Sequence, residues 1–196
     1  EWKTEVKSFE PTVEECGLEN LTLEFPAIPY KGHFTELGNN GIAMHGVANC
    51  WVRNVDILNA DSGIFLGSRF CTVEGLILRS ERKPDRQNST GHHGITLGGT
   101  DNLVVGFDLQ TRFLHDLTVS NGSSQNVAAS GKGIDLAFDH HKRAPYQNLF
   151  TDIDVGAGKR VWKCGGGGSL GKNCGARTTF WGISSKASIS APPSRF

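Results

Sequence analysis

The 196-residue chain balances 20 Lys and Arg against 20 Asp and Glu, so its formal net charge is zero. That balance gives no footing for the clustered positive charge by which proteins hold nucleic acid or anionic membranes, and no apolar run reaches the length of a membrane span. The 25 glycines point to many tight turns.

The chain opens on Glu1-Trp2-Lys3, with neither an initiator Met nor a signal peptide, and residues 1–15 read as a charged, irregular lead-in. A repeat then begins. Cys50 and Cys71 are 21 residues apart, and each is followed by apolar residues at +2, +5 and +7. Cys16 starts an earlier copy with Leu18, Leu21 and Leu23, and later copies start at Asn102 (Val104, Phe107, Leu109) and Asn148 (Phe150, Ile153, Val155). The +5/+7 alternation has the period of a strand. A period of about twenty residues built from short strands and Gly, Asn and Asp turns is the signature of a solenoid. The expected fold is therefore all-β, a parallel β-helix of about five to six coils with loop insertions over residues 16–183, right-handed by the rule for parallel crossovers.

The insertions follow from the spacings. Pro26 to His33 is too proline-rich for a central strand and lengthens the first coil. Glu81 to His93 is a hydrophilic loop that must leave the body. Asn126 is the candidate for a missing rung between Asn102 and Asn148, with Leu117 and Val119 facing inward, although its +5 position is Gly131. Asn102, Asn126 and Asn148 are expected to form a ladder, their amides bonding backbone and one another. Arg177 to Ile183 reads as the last strand, and 184–196, ending Ala191-Pro192-Pro193-Ser194-Arg195-Phe196, as a tail or linker; we expect a segment of a larger protein.

Five cysteines are an odd number. Cys164 and Cys174 bracket a Gly-rich loop that a disulfide would pin, and a second bridge is expected between Cys50 and Cys71 on successive rungs, with buried thiols as the alternative. Sequons at Asn20, Asn88 and Asn121 mark glycosylation candidates. Cysteine pairs and loop sequons together favour an extracellular or cell-surface setting.

Outward-facing side chains must carry any chemistry. The residues following each Gly-Ile pair should form one outward row, Ala43, Phe65, Thr96 and Asp135. Titratable groups concentrate nearby: His92-His93, Arg112, His115-Asp116, Lys132, Asp135, Asp139-His140-His141 and Lys142-Arg143. A lyase acting on uronic acids needs a base at the sugar's α-proton and a cation for its carboxylate. The catalytic candidates are His93, Arg112, His115, Asp116, Asp135, Asp139 and His140, with Asp116, Asp135 and Asp139 as the carboxylates a glycoside hydrolase would pair. His93, Asp135 and His140 are expected within reach of one another on one face. Trp2, Trp51, Trp162 and Trp181 could offer sugar-stacking faces.

Asp139-His140-His141 contains zinc-competent residue types, but without a spaced cysteine pair or a His-Glu-x-x-His helix no metal site is assigned. Calcium is the cation that Asp101-Asn102 or Asp152-Ile153-Asp154 could hold. Gly166 to Lys172 fits Gly-x4-Gly-Lys, but Asn173 stands where a phosphate loop needs Ser or Thr, and no strand and helix flank it.

The repeats, with Gly91-His92-His93-Gly94-Ile95, Gly133 to His141 and Ala144 to Phe150, resemble the pectate-lyase-like right-handed β-helix superfamily, in a branch lacking its arginine-proline and tryptophan-aspartate-histidine signatures. The resemblance implies carbohydrate, a polysaccharide, as substrate or ligand, and carries over no catalytic residue. Two readings follow: a secreted enzyme on an acidic polysaccharide, or a non-catalytic adhesive or structural β-helix that self-associates or joins neighbouring domains through open ends.

Overall fold

The computed structural model describes residues 5, 6 and 8–193 and is all-β, with parallel sheets. The strands are β1 (Val13–Glu14), β2 (Gly17–Glu24), β3 (Asn40–Ala48), β4 (Trp51–Leu58), β5 (Ser62–Arg69), β6 (Thr72–Glu74), β7 (Ile77–Arg79), β8 (Gly91–Leu97), β9 (Leu103–Val105), β10 (Asp108–Leu109), β11 (Phe113–Val119), β12 (Val127–Gly133), β13 (Phe138–His140), β14 (Leu149–Asp154) and β15 (Thr179–Ser184). One six-stranded sheet runs β1-β3-β5-β8-β11-β13. The other runs β10-β7-β4-β6-β9-β12-β14-β15, with β2 on β4. Each strand pairs in parallel with one from a neighbouring repeat, from 21 residues away (Val119 with His140) to 34 (Leu18 with Val52).

Two registers explain why the repeats stack. Ile42, Ile64, Ile95, Leu117 and Phe138 stand in line, as do Met44, Leu66, Leu97, Val119 and His140. All ten are buried, and they join Val52, Val73, Val104, Ala128 and Phe150 of the second sheet in the buried interior. Before each isoleucine of the first three repeats stands a glycine, because the next strand's backbone passes too close for a side chain. A Cβ on Gly41, Gly63 or Gly94 would lie 2.5 Å from the carbonyl oxygen of Gly63, Gly94 or Asp116 respectively. In the second sheet a column of left-handed residues (Asn20, Asn54, Gly75, Gly106, Ser130, Asp152, Gly182) interrupts each pass at the same place, drawn mostly from residue types that tolerate that backbone.

At the turn into the second sheet the asparagine ladder is present and Asn126 is its middle rung. The backbone N–H groups of Cys71, Asn102 and Asn126 donate to the side-chain oxygens of Asn102, Asn126 and Asn148, each at 3.1 Å. The Nδ2 groups of Asn102 and Asn126 donate onward to Asn126 and Asn148 at 3.0 and 2.9 Å. Gly131 lacks a +5 side chain because the Phe107 ring fills that place, 2.1 Å from where a Cβ would be.

The cysteines extend this ladder instead of bridging. All five are free thiols, so neither the Cys164–Cys174 nor the Cys50–Cys71 disulfide is formed. The Cys50 N–H donates to Cys71 Sγ at 3.4 Å, and each buried thiol points back at a carbonyl two residues earlier, Ala48 and Arg69. Cys71 thus occupies an asparagine's place as acceptor, which leaves its sulfur engaged.

Val13–Glu14 pairs with Val47–Ala48, and the Trp162 indole donates to Ser190 O at 2.9 Å while Ile189 packs on the core. Trp2 and residues 194–196 lie outside the described residues. Asn20, Asn88 and Asn121 are exposed. Among the described residues no helix is long and apolar enough to cross a membrane.

Asn126→Ala strips a buried acceptor from Asn102 and a donor from Gly99 O, 2.9 Å away. At about 1–3 kcal/mol per orphaned group, it should lower stability by about 2–6 kcal/mol. Urea unfolding is the check: a lower midpoint at unchanged slope is expected.

Candidate functional site

The period-two alternation of β13 decides which of its residues can act. Phe138 and His140 face the interior and Asp139 faces out, in line with Thr118, Thr96, Phe65 and Ala43. The outward row therefore ends in Asp139, not Asp135. Gly133-Ile134 is not the counterpart of the earlier Gly-Ile pairs, since Ile134 is 49% exposed and Phe138 holds the buried position.

Parallel register brings four histidines around Asp139. His93 and His115 are partners across β8 and β11, their rings stacked at 5.1 Å. His92 stacks on His93 at 4.1 Å and His141 meets the His115 ring edge-on at 4.6 Å. Nδ1 of His115 and Nδ1 of His141 both approach the same oxygen of Asp139, Oδ2, at 2.8 and 2.7 Å. Thr118 donates to that oxygen at 3.4 Å, and the Gly165 N–H donates to Oδ1 at 2.7 Å.

Burial would push the Asp139 carboxyl up, but the two imidazoles and the Gly165 N–H outweigh it and hold the group well below the usual carboxylate range. Burial, reinforced by the neighbouring imidazoles, lowers His93 to about 3 and His92 to about 4, the latter against the opposing pull of Glu36. The floor of this site is thus one carboxylate, and the stacked His92 and His93 rings beside it are neutral at pH 7.

Two insertions wall it. Asp61 accepts from the backbone of Leu37 and Asn39 and pairs with Arg82 at 2.7 Å, both side chains buried. Arg82 also donates to Ile28 O. This fixes the 26–39 loop so that Glu36 accepts from His92 at 3.1 Å and His33 sits 5.3 Å from the His92 ring. On the other side passes the Gly-rich segment. A Cβ on Gly165 would lie 2.3 Å from His115 Cε1 and 2.9 Å from His141 Cε1, so only glycine lets the chain run over the rings. Beyond the cluster a groove of about 410 Å³ is lined by His45, Phe65, His93, Thr96, Asn121 and His141.

The remaining candidates are elsewhere. His140 is fully buried beside the Phe150 and Phe180 rings, its pKa lowered by that burial. Asp116 and Asp135 are both engaged by Arg160, at 2.5 and 3.4 Å, and Arg112 stands 3.8 Å from Asp135. Phe113 and Ala137 N–H groups also donate to Asp116. Burial pushes the Asp116 carboxyl up to about 6 against the pull of Arg160. This buried network clamps residue 160 to the sheet and engages both Asp116 and Asp135. The expected grouping of His93, Asp135 and His140 is not assembled: the first lines the groove, the second is ion-paired, and the third faces inward. His92 and His141 take their places, with Asp139 at the centre. Trp162 packs on Phe138 and Phe180, Trp51 donates to Glu19, and Trp181 is 74% exposed.

Of the residues considered for calcium, Asp152 accepts from Ser130 Oγ of the neighbouring strand and Asp154 from the Gly156 N–H two residues on. Among the described residues, the group that gathers potential metal ligands is His115, Asp139 and His141.

Cys164 begins the Gly-rich segment, and the His140 N–H donates to its sulfur. Burial pushes its thiol up to about 11. A raised thiol contributes stability that is complete below the unfolded value and lost as pH rises through the folded one. Urea midpoints should therefore fall between pH 9 and about 11, with a smaller fall in Cys164→Ala. Alkylation with mass readout at pH 8 should label exposed Cys16 before Cys164, Cys50 or Cys71. Comparison of the chain with protein-family models, with curated proteins and with solved structures gives no match.

Proposed function

We propose that the chain is a right-handed parallel β-helix of the pectate-lyase-like kind, outside the cell or at its surface, that binds and cleaves an acidic polysaccharide in the groove over the six-stranded sheet. The coil reading is supported by parallel partners one repeat apart and by bends recurring at the same place in each pass.

The observation that carries the chemical reading is the Asp139–His141 pair. A carboxylate that receives Nδ1–H at 2.7 Å leaves Nε2 as the ring's lone pair, on a histidine that lines the groove. That is the arrangement of a general base. Nε2 takes the proton α to the uronate carboxyl, the electrons form the C=C bond, the β C–O bond breaks, and the leaving glycosidic oxygen takes a proton from water. Arg143 bonds the groove residue Asn121 at 3.0 Å and supplies a cation for the uronate carboxylate.

The test is ultraviolet detection of unsaturated uronate release on a panel of acidic polysaccharides. His141→Ala should lower the rate by about 10²–10⁴-fold, the usual contribution of a positioned base. Silence of the folded wild-type chain across the panel would defeat this reading. It would leave the structural one, which the exposed Leu18 (46%) on β2 and Trp181 (74%) on edge strand β15 favour. That reading expects concentration-dependent association in sedimentation velocity, reduced by Trp181→Lys.

A further inference from the structure

We infer that His115, Asp139 and His141 form a binding site for one divalent transition-metal ion of the zinc class. The ligand atoms of the three residues all lie within 4.8 Å of one another. The two imidazole nitrogens converge on a single carboxylate oxygen, one from β11 and one from the residue just past β13, at 2.8 and 2.7 Å. An ion drawn in among them needs only small side-chain shifts to reach metal–ligand distances near 2.0–2.2 Å.

The surroundings are those of a held site. Asp139 has no exposed side-chain surface, and His115 and His141 expose only 12% and 22% of theirs. The Gly165 N–H fixes the second carboxylate oxygen, the kind of outer contact that orients a ligating carboxylate. His93 stacked on His115 at 5.1 Å limits that ring's rotation. The Asp139 carboxylate, its Oδ2 between the two imidazoles, supplies the anionic donor for a dication.

The donor set names the class of ion. Two imidazole nitrogens and one carboxylate oxygen suit zinc, cobalt or iron(II). Calcium asks for six to eight oxygens, which this pocket does not offer. Three protein ligands also leave a coordination position for water or a substrate oxygen, as catalytic zinc sites do, and His141 borders the groove.

Metal binding and the Asp139-held base are alternative states of the same atoms. On loading, each ring changes to its Nε2–H tautomer: the Nδ1 proton leaves to solvent, Nε2 takes one up, and the freed Nδ1 lone pair goes to the ion. The inference does not depend on what the groove binds, because it is read without substrate.

The experiment uses the full chain, stripped with a chelator and titrated calorimetrically with zinc alone, then with calcium alone. Zinc should bind one per chain and calcium should not bind. His141→Ala, at a partly exposed position, should weaken zinc by more than ~10-fold, the loss typical even of outer-shell changes. Asp139→Asn should weaken it similarly, with circular dichroism confirming that each variant is folded. Cobalt loading gives a second reading: d–d bands without a thiolate charge-transfer band are expected. Absence of stoichiometric zinc binding, affinity unchanged in folded His141→Ala, or a cobalt–thiolate band pointing to the free cysteines would each overturn the assignment. Failure of the uronate assay alone would not bear on it.

Discussion

The structure depends on register. Parallel strands stacked repeat on repeat could slip by one residue and turn every inward side chain outward, and the column of side-chain acceptors at the turn into the second sheet prevents it. Each backbone N–H of Cys71, Asn102 and Asn126 finds the side chain of the next repeat. Because these groups are buried, a slipped register would orphan several at once. With that column fixed, Thr118 must stand beside Asp139 and His93 beside His115.

The histidine cluster is a product of that alignment and two clamps. The sheet supplies Asp139, His93 and His115; His141 follows one residue past the end of β13. The buried Asp61–Arg82 pair holds the 26–39 loop at one side, and Arg160, bound to Asp116 and Asp135, holds the chain leading into the glycines at the other. Breaking either pair would leave a buried charge uncompensated, which costs far more than the pair itself contributes. The polar residues closest to the groove in sequence are thus divided between chemistry and support.

Much of the fold was legible. The cysteine and asparagine positions, the apolar residues at +2, +5 and +7, and the two insertions follow from the repeat and stand where the spacing places them. Asn126 was readable as a rung despite Gly131, since a missing side chain in one repeat can be replaced by a large one, Phe107, from the one before. The site was only half legible. Gly133-Ile134 imitates the pattern of Gly41-Ile42, Gly63-Ile64 and Gly94-Ile95 but falls at the start of an irregular segment, and aligning on it shifted the outward row by four residues, from Asp139 to Asp135. The same shift hid that His140 belongs to the inward column of Met44, Leu66, Leu97 and Val119. The roles of Glu36 and Gly165 come from loops, whose paths no periodicity records. The Cys50–Cys71 pair misled because proximity in a stack satisfies an acceptor column as well as it satisfies a bridge.

The acceptor column changes chemistry along its length. Toward the carboxyl-terminal side it is made of amide oxygens at 3.1 Å; at Cys50 the acceptor is a thiol at 3.4 Å, a weak one. Beyond it Cys16 is exposed. The weak acceptor thus lies in the early repeats, and the strong ones lie in the asparagine-bearing repeats that carry the histidine cluster. The site stands where the column's hydrogen bonds are shortest.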